Sequence, residues 1–195
     1  EVVKKMLARK LGVSKEGRVN ARSLGVRDAP VAGSNALLEA NHIQGTGRGS
    51  VRLGLYRGDE LVAVALFLRR KSGEWELTRY GSSCIVRGGF SKLLTAFVKN
   101  REFDRLVTFS DTTVSDGGLY EQLGFVRDGV IAPDYQYVVN GTREHKFNYR
   151  LKRFRDDPEL DHRDGLTEKQ LAELNGLTRV YDAGKVRWTL DHPAR

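Results

Sequence analysis

Cysteine is almost absent from this sequence, and so are long apolar runs. Cys84 is the single cysteine among 195 residues, which excludes a disulfide framework and a metal site built from several cysteines. No apolar stretch reaches the ~18 residues that a transmembrane helix needs. Lysine and arginine interrupt the apolar residues near the N-terminus, unlike the pattern of a signal peptide. We therefore expect a cytoplasmic protein with no membrane partner.

Negative charge is in the minority. The chain has 33 lysines and arginines against 25 aspartates and glutamates, which gives a net charge of +8. This excess favours a polyanionic partner such as DNA or RNA; the alternative is a basic soluble protein without such a partner. The sequence begins at Glu1 rather than at methionine, which suggests either a trimmed chain or the C-terminal piece of a longer protein. The oligomeric state is left open.

The length suits one domain with small appendages. We predict a basic N-terminal arm over residues 1–29, an α/β domain over residues 30–150 and a small appendage over residues 151–195. Within the arm, residues 2–11 predict a helix and residues 19–26 an edge strand. The basic side chains of the arm either contact phosphates or form a solvated tail.

His42 stands at the junction of two unlike segments. A helix is predicted over residues 35–41, with Ser34 as its N-cap. Three spaced glycines follow His42, which indicates an exposed and mobile segment. A structural histidine would usually lie within an apolar pattern, so we predict a functional role for His42.

Strands are predicted at residues 51–56, 61–68 and 75–80. Residues 61–67 are apolar without alternation, which predicts a strand buried on both faces. The third strand carries Glu76 and Arg79 beside core residues. We interpret these two charges as structural, paired either with each other or with neighbouring residues.

The centre of the chain has the pattern of a βαβ unit. Gly88 and Gly89 open a segment whose apolar residues at 93, 94, 97 and 98 fall on one helical face. Residues 106–110 read as a buried strand, and a short helix from residue 118 stops at Gly124. Ligands usually bind at the loops that follow such strands, and Asp111 lies in one of them.

Turn and capping signals organise the C-terminal third. Asn140-Gly141 lies between two strand-like runs and predicts a hairpin. Residues 167–170 form a capping box before a helix that stops at Asn175-Gly176, and residues 180–190 suggest a closing hairpin. The predicted fold class is α/β (α+β), with a central mixed sheet, flanking helices and a small C-terminal helix-hairpin appendage.

Two motifs of the central stretch resemble the GNAT acyltransferase superfamily. Tyr120, followed by Leu123-Gly124-Phe125, matches its Tyr-x-x-Leu-Gly-Phe signature. The superfamily's turn, Gln/Arg-x-x-Gly-x-Gly/Ala, is matched at Gly89 and Ser91, whereas Val86 replaces the usual Gln or Arg. The resemblance agrees with the predicted order of strands and helices.

The resemblance implies a binding site for the pyrophosphate of coenzyme A at Arg87, Gly88, Gly89 and Ser91, whose backbone N–H groups would point at the ligand. It also implies that Tyr120 protonates the leaving thiolate as a general acid. The loss of the polar residue at Val86 leaves acyl-CoA binding open.

A second resemblance covers most of the chain. It rests on the run from His42 to Gly45, the strand that ends at Tyr56, the motif Trp75-Glu76-Leu77-x-Arg79 and the loop from Asp111. It is a resemblance to two groups of phage proteins. These are the Mom-type DNA modification proteins, which convert adenine to a carbamoylmethyl form that restriction enzymes cannot cut, and the C-terminal domain of phage homing endonucleases with a Vsr-like nuclease half. The Mom likeness implies the catalytic set His42, Tyr56, Asp111 and Tyr120.

The resulting hypothesis is an anti-restriction enzyme that modifies adenine in phage DNA. The expected partner is double-stranded DNA, which would bind Arg48, Arg52 and Lys92 together with Arg87, and the adenine would leave the base stack. Two alternatives stay open: a DNA-binding module without catalysis, and an acyl-CoA-dependent N-acetyltransferase that acts on protein or small molecules. No metal site is predicted.

Overall fold

A computed structural model describes residues 1–192 of the chain. The helices are α1 Val2–Lys10, α2 Val31–Asn41, α3 Gly89–Asn100, α4 Gly118–Gln122, α5 Leu151–Asp156 and α6 Glu168–Leu174. The strands are β1 Arg18–Asn20, β2 Gly25–Asp28, β3 Val51–Arg57, β4 Glu60–Arg69, β5 Trp75–Ser82, β6 Ile85–Arg87, β7 Arg105–Asp111, β8 Val126–Ile131, β9 Tyr135–Val139, β10 Thr142–His145, β11 Thr178–Tyr181 and β12 Lys185–Asp191. None of these helices is long and apolar enough to cross a membrane.

The chain divides into two compact units. The first contains Glu1–Phe109, Gly118–Asp128 and the chain from Arg187, and the second contains Ser110–Gly117 and Gly129–Val186. A seven-stranded sheet has the order β2-β3-β4-β5-β7-β12-β8. Its strands are antiparallel from β2 to β5, whereas β5 and β7 are parallel. The predicted mixed sheet with flanking helices is confirmed.

The core of the first unit lies between β4 and α3. Residues 62–67 of β4 are all buried, as their unbroken apolar run predicts. The predicted helical face is also confirmed, because Leu93, Leu94 and Phe97 of α3 are buried. The rings of Phe67 and Phe97 stack with their centroids 3.9 Å apart, which fixes the helix against the sheet.

The N-terminal segments differ from the prediction in two places. The single edge strand is wrong, because a short turn of 3₁₀ helix separates β1, which pairs with β6, from β2, which pairs with β3. Ser34 is not an N-cap: it is buried inside α2, and its hydroxyl donates to the carbonyl of Pro30 (2.8 Å). Pro30 precedes the helix directly, where its missing N–H costs nothing.

The second unit is built on a three-stranded sheet with the order β10-β9-β11. The predicted hairpin at Asn140-Gly141 joins β9 to β10. The predicted capping box is also confirmed, since Thr167 and Gln170 exchange hydrogen bonds at the start of α6. Aromatic residues of β9 and its neighbours pack on α5 and α6 around Tyr137, Tyr149, Phe154, Leu171 and Ala172.

The predicted closing hairpin is wrong, because β11 and β12 join different sheets. β11 pairs with β9, and β12 lies between β7 and β8. Asp182 accepts hydrogen bonds from the backbone N–H groups of Asp134 and Gly184, both 2.9 Å long, which ties the connecting segment to β9. The alternating Val186 and Trp188 of β12 are buried, so this strand needs a larger sheet than a two-stranded hairpin.

Candidate active site

The parallel strands β5 and β7 pair over only two positions. Trp75 lies opposite Leu106 and Glu76 opposite Val107, and no further pair follows among the described residues. Beyond this point the carbonyl of Leu77 accepts a hydrogen bond from the side-chain hydroxyl of Thr108 (3.1 Å). The strands therefore separate toward their carboxyl ends, where α/β sheets commonly bind ligands.

A β-bulge in β5 coincides with this separation. Leu66 of β4 lies opposite Arg79, but the next residue, Phe67, lies opposite Leu77, so Thr78 has no partner of its own. The hydroxyl of Thr78 donates to the carbonyl of Arg48 (2.7 Å), which lies in the segment after His42. Bulges reorient the side chains around them and are frequent beside active sites.

A small cavity of about 130 Å³ lies where the strands separate, within the first unit. The polar and aromatic residues that carry the argument below line it: His42, Thr78, Arg79, Tyr80, Thr108 and Tyr120. They come from the end of α2, from β5 and β7, and from α4. Two of the four predicted catalytic residues, His42 and Tyr120, therefore share one cavity.

His42 is neutral at pH 7. Burial, and to a smaller extent the positive charge of Arg79, lowers its pKa to about 4. Its Nδ1 accepts a hydrogen bond from the backbone N–H of Gln44 (3.1 Å). Since Nδ1 is an acceptor, the neutral ring carries its proton on Nε2 and offers a hydrogen-bond donor there. His42 thus fits the role of a hydrogen-bond donor better than that of a general base.

Tyr120 is held in the cavity wall by aromatic contacts. Its ring makes edge-on contacts with Phe90 and Phe125, with centroids 6.0 Å and 5.6 Å away. Burial raises the pKa of its hydroxyl, and a hydrogen bond with Thr108 partly offsets the rise. Burial also raises the pKa of Tyr80 to about 12. Both phenols are therefore protonated at neutral pH and can donate protons.

Arg79 brings a positive charge to the same cavity. Its Nη1 donates to the carbonyl of Thr78 (2.7 Å), whereas its Nε is buried and has no hydrogen-bond partner among the described residues. Of the two charges expected to pair with each other or with neighbours, Glu76 pairs with its neighbour Arg70 (2.8 Å), whereas no ion pair of Arg79 is found among the described residues. The sequence missed Arg79 as a site residue, since the bulge that places it is a feature of strand pairing.

The predicted pyrophosphate turn forms the start of α3. Gly88 is the N-cap with a left-handed φ of 71°, and no side chain caps the first turn. Gly89 is required by close packing, because a Cβ there would lie 2.6 Å from the Tyr80 hydroxyl. A groove of about 750 Å³ runs beside this helix and includes Arg22, Arg87, Gly88, Ser91, Lys92 and Lys99.

The structure does not bring Tyr56 into the cavity. Tyr56 is buried on β3, where its hydroxyl donates to the carbonyl of Asp28 (3.4 Å) and the guanidinium of Arg27 lies 4.1 Å from its ring centroid. Asp111 belongs to the second unit, and its carboxylate accepts a hydrogen bond from the backbone N–H of Thr113 (2.9 Å) in a local turn. Catalytic roles for these two residues stay predictions.

The predicted DNA-binding residues lie on three different elements. Arg48 is exposed in the segment after His42, and Arg52 is half-buried on β3 with one guanidinium nitrogen unpartnered among the described residues. Lys92 donates to the carbonyls of Ala21 (2.9 Å) and Leu24 (2.5 Å), so its ammonium is committed to the chain's own N-terminal segment. Residues 1–192 contain no cluster of His, Cys, Asp and Glu suited to a metal ion.

No known protein-family profile matches the sequence, and no curated protein is significantly similar to it. Solved structures are similar in fold. A Bacillus subtilis acetyltransferase in complex with CoA is 16% identical, with a TM-score of 0.50 over 86% of this chain and 98% of that one. A ribosomal-protein alanine N-acetyltransferase from Escherichia coli is 12% identical, with a TM-score of 0.53 over 88% and 96%. An N-acetyltransferase from Staphylococcus aureus is 12% identical, with a TM-score of 0.50 over 87% and 99%. The chain has the fold of the GNAT acetyltransferases.

Proposed function

We propose that this chain, with its GNAT acetyltransferase fold, is an acyl-CoA-dependent N-acyltransferase. The observation that carries the proposal is the separation of β5 and β7 after two residue pairs, which opens a cavity beside a protonated tyrosine. The gap between the strands gives a thioester arm a place where unpaired backbone groups can bind its amides. The likeness to acetyltransferases, including one solved with CoA, supports this proposal over DNA modification.

The residues at the start of α3 fit the phosphates of acyl-CoA. The first turn of this helix has free N–H groups and the positive end of the helix dipole, and no side chain caps it. Arg87 and Lys99 add positive charge along the groove beside it. The missing polar side chain at Val86 is thus offset by backbone donors and by neighbouring basic residues.

Two residues of the cavity would have different roles in acyl transfer. Bound acyl-CoA supplies an activated acyl group that an amine can attack. The Nε2–H of His42 would donate to the carbonyl oxygen as negative charge develops there, and the fixed neutral state of the ring suits that task. Tyr120 would give its proton to the departing thiolate, and the proton that the amine loses on becoming an amide would restore the tyrosine hydroxyl.

Binding of CoA to the purified chain tests the proposal, measured by calorimetry and by thiol release from acetyl-CoA with a panel of amines. Ser91→Glu places a carboxylate at the first turn of α3 and should weaken CoA binding by roughly 10-fold or more. Ser72→Glu, in an exposed turn, is the matched control and should bind as the wild type does. An absence of both binding and thiol release would overturn the proposal.

A second candidate function is transfer to an exocyclic amine of DNA, as the likeness to Mom-type proteins suggests. It is favoured by the charge of the first unit, which holds 23 of the 33 lysines and arginines but only 13 of the 25 acidic residues. Mass spectrometry of nucleosides from cells that express the chain tests it, with His42→Ala as the control. A modified adenosine that is lost in the control would move the assignment to DNA.

A further inference from the structure

We propose that Arg79 binds the carboxylate of the acceptor, so that the acceptor is a small amine that carries a carboxylate. This inference rests on the proposed acyl transfer and names its acceptor class. Arg79 lines the cavity together with His42 and Tyr120, where the acyl group and the amine would meet. A cationic side chain at this place selects among amines by their charge.

The charge of Arg79 has no neutralising partner in the part of the chain that the structure describes. None of the ion pairs among residues 1–192 includes Arg79. Glu76, the nearby carboxylate that favours the charged form of Arg79, is already paired with Arg70. A half-buried and uncompensated guanidinium is costly, and an anionic ligand would relieve that cost.

The geometry of the guanidinium favours a carboxylate. Nη1 is bound to the carbonyl of Thr78, whereas Nε has no partner among the described residues. Nε–H and the adjacent Nη2–H form the edge that a planar carboxylate accepts from with both oxygens. Gly47 packs against this side of Arg79, since a Cβ there would lie 2.7 Å from Cγ and 3.4 Å from Nε. A carboxylate that binds this edge therefore requires the segment with Gly45, Gly47 and Gly49 to move away from Nε.

The positive charge of Arg79 acts inside the cavity, and the pKa of His42 is sensitive to it. The charge of Arg79 contributes to the low pKa of His42, so the two groups interact electrostatically. An anion bound to Arg79 would cancel part of this effect and raise the pKa of His42. When the bound anion is the carboxylate of the acceptor, the acceptor's amine would lie near the Nε2–H of His42, where the acyl carbonyl is expected.

The test is an NMR titration of His42 in the full chain without acyl-CoA, with His42→Gln to assign its signal among the four histidines. Acetate should raise the pKa of His42, whereas acetamide, which has the same shape without the charge, should not. In Arg79→Met the pKa of His42 should already be higher, and acetate should no longer change it. Arg69→Met, which removes an exposed arginine at the end of β4, should respond as the wild type does.

The outcomes separate this inference from the proposed function. The carboxylate site would be overturned if acetate left the pKa of His42 unchanged in the wild type, or raised it equally in Arg79→Met. Either result would count even if acetyl-CoA is turned over. A response to inorganic phosphate but not to acetate would also overturn it, in favour of a phosphorylated acceptor. If acyl transfer is observed, glycine should exceed glycinamide in kcat/KM by roughly 10-fold in the wild type, and Arg79→Met should abolish that preference.

Discussion

Tyr120 has a half-buried ring and a protonated hydroxyl on the wall of the cavity. Tyr120→Phe keeps the aromatic contacts with Phe90 and Phe125 but removes the proton donor. We expect kcat of acetyl transfer to fall by roughly 10²-fold, because general acids typically contribute that much, with little change in KM for acetyl-CoA. Steady-state kinetics with the best acceptor of the amine panel measures this. An unchanged kcat would remove Tyr120 from the mechanism.

His42 makes stability depend on pH. Its pKa is about 4 in the folded chain and 6.5 in the reference state, so the unfolded chain binds more protons between these values. The contribution of His42 is fully present above pH 6.5 and is lost as the pH falls toward 4. We expect a loss of about 2 kcal/mol in the free energy of unfolding between pH 7 and pH 5 from this group.

Urea unfolding of the wild type and His42→Gln at both pH values measures this contribution. His42→Gln should lose about 2 kcal/mol less than the wild type over the interval. His162→Gln, which replaces an exposed histidine of the second unit, is the matched control and should follow the wild type. Equal losses in all three proteins would show that His42 is not buried in its neutral form.

The start of α3 depends on a close contact between two elements. A Cβ at Gly89 would lie 2.6 Å from the Tyr80 hydroxyl and 2.8 Å from Cγ1 of Val86. Gly89→Ala should therefore lower the free energy of unfolding by about 1–2 kcal/mol, because overlap with β5 and β6 outweighs the better helix propensity of alanine. Gly17→Ala, where a Cβ meets nothing within 4 Å, is the control for urea unfolding. Equal stability of the two variants would contradict the packing described here.

Local signals predicted those elements that short-range interactions determine. The hairpin at Asn140-Gly141 and the capping box at Thr167 formed where expected, because their hydrogen bonds join residues close in sequence. The bulge at Thr78 and the separate sheets of β11 and β12 depend on partners distant in sequence. His42 and Tyr120 were predicted because each lies in a local sequence motif. Arg79 and Tyr80 were not predicted as site residues, because their positions depend on strand pairing.

The positive charge of the whole molecule is unevenly distributed. The first unit has a net charge of +10 from 23 basic and 13 acidic residues, and the second has −2 from 10 basic and 12 acidic residues. Catalysis within a small cavity does not require this excess of positive charge. We therefore expect the excess to affect which molecules bind the surface of the first unit. Electrostatic attraction to a polyanion such as duplex DNA is the effect that such an imbalance produces.

Binding of a mixed-sequence DNA duplex tests this attraction. The affinity should fall at least about 10-fold between 50 and 200 mM salt, as it does when several phosphates are neutralised. Replacing Lys15 and Arg18 of the first unit with glutamine should weaken binding more than replacing Arg153 and Arg155 of the second. Each pair removes the same charge, but Arg153 and Arg155 already pair with Asp157 and Asp156, whereas Lys15 and Arg18 are exposed on the basic unit.

Fluorescence anisotropy measures both the salt dependence and the effect of the two double substitutions. Salt-independent binding, or equal losses in the two variants, would show that the charge excess of the first unit does not form a nucleic-acid surface, and the acceptor would then be sought among small amines alone.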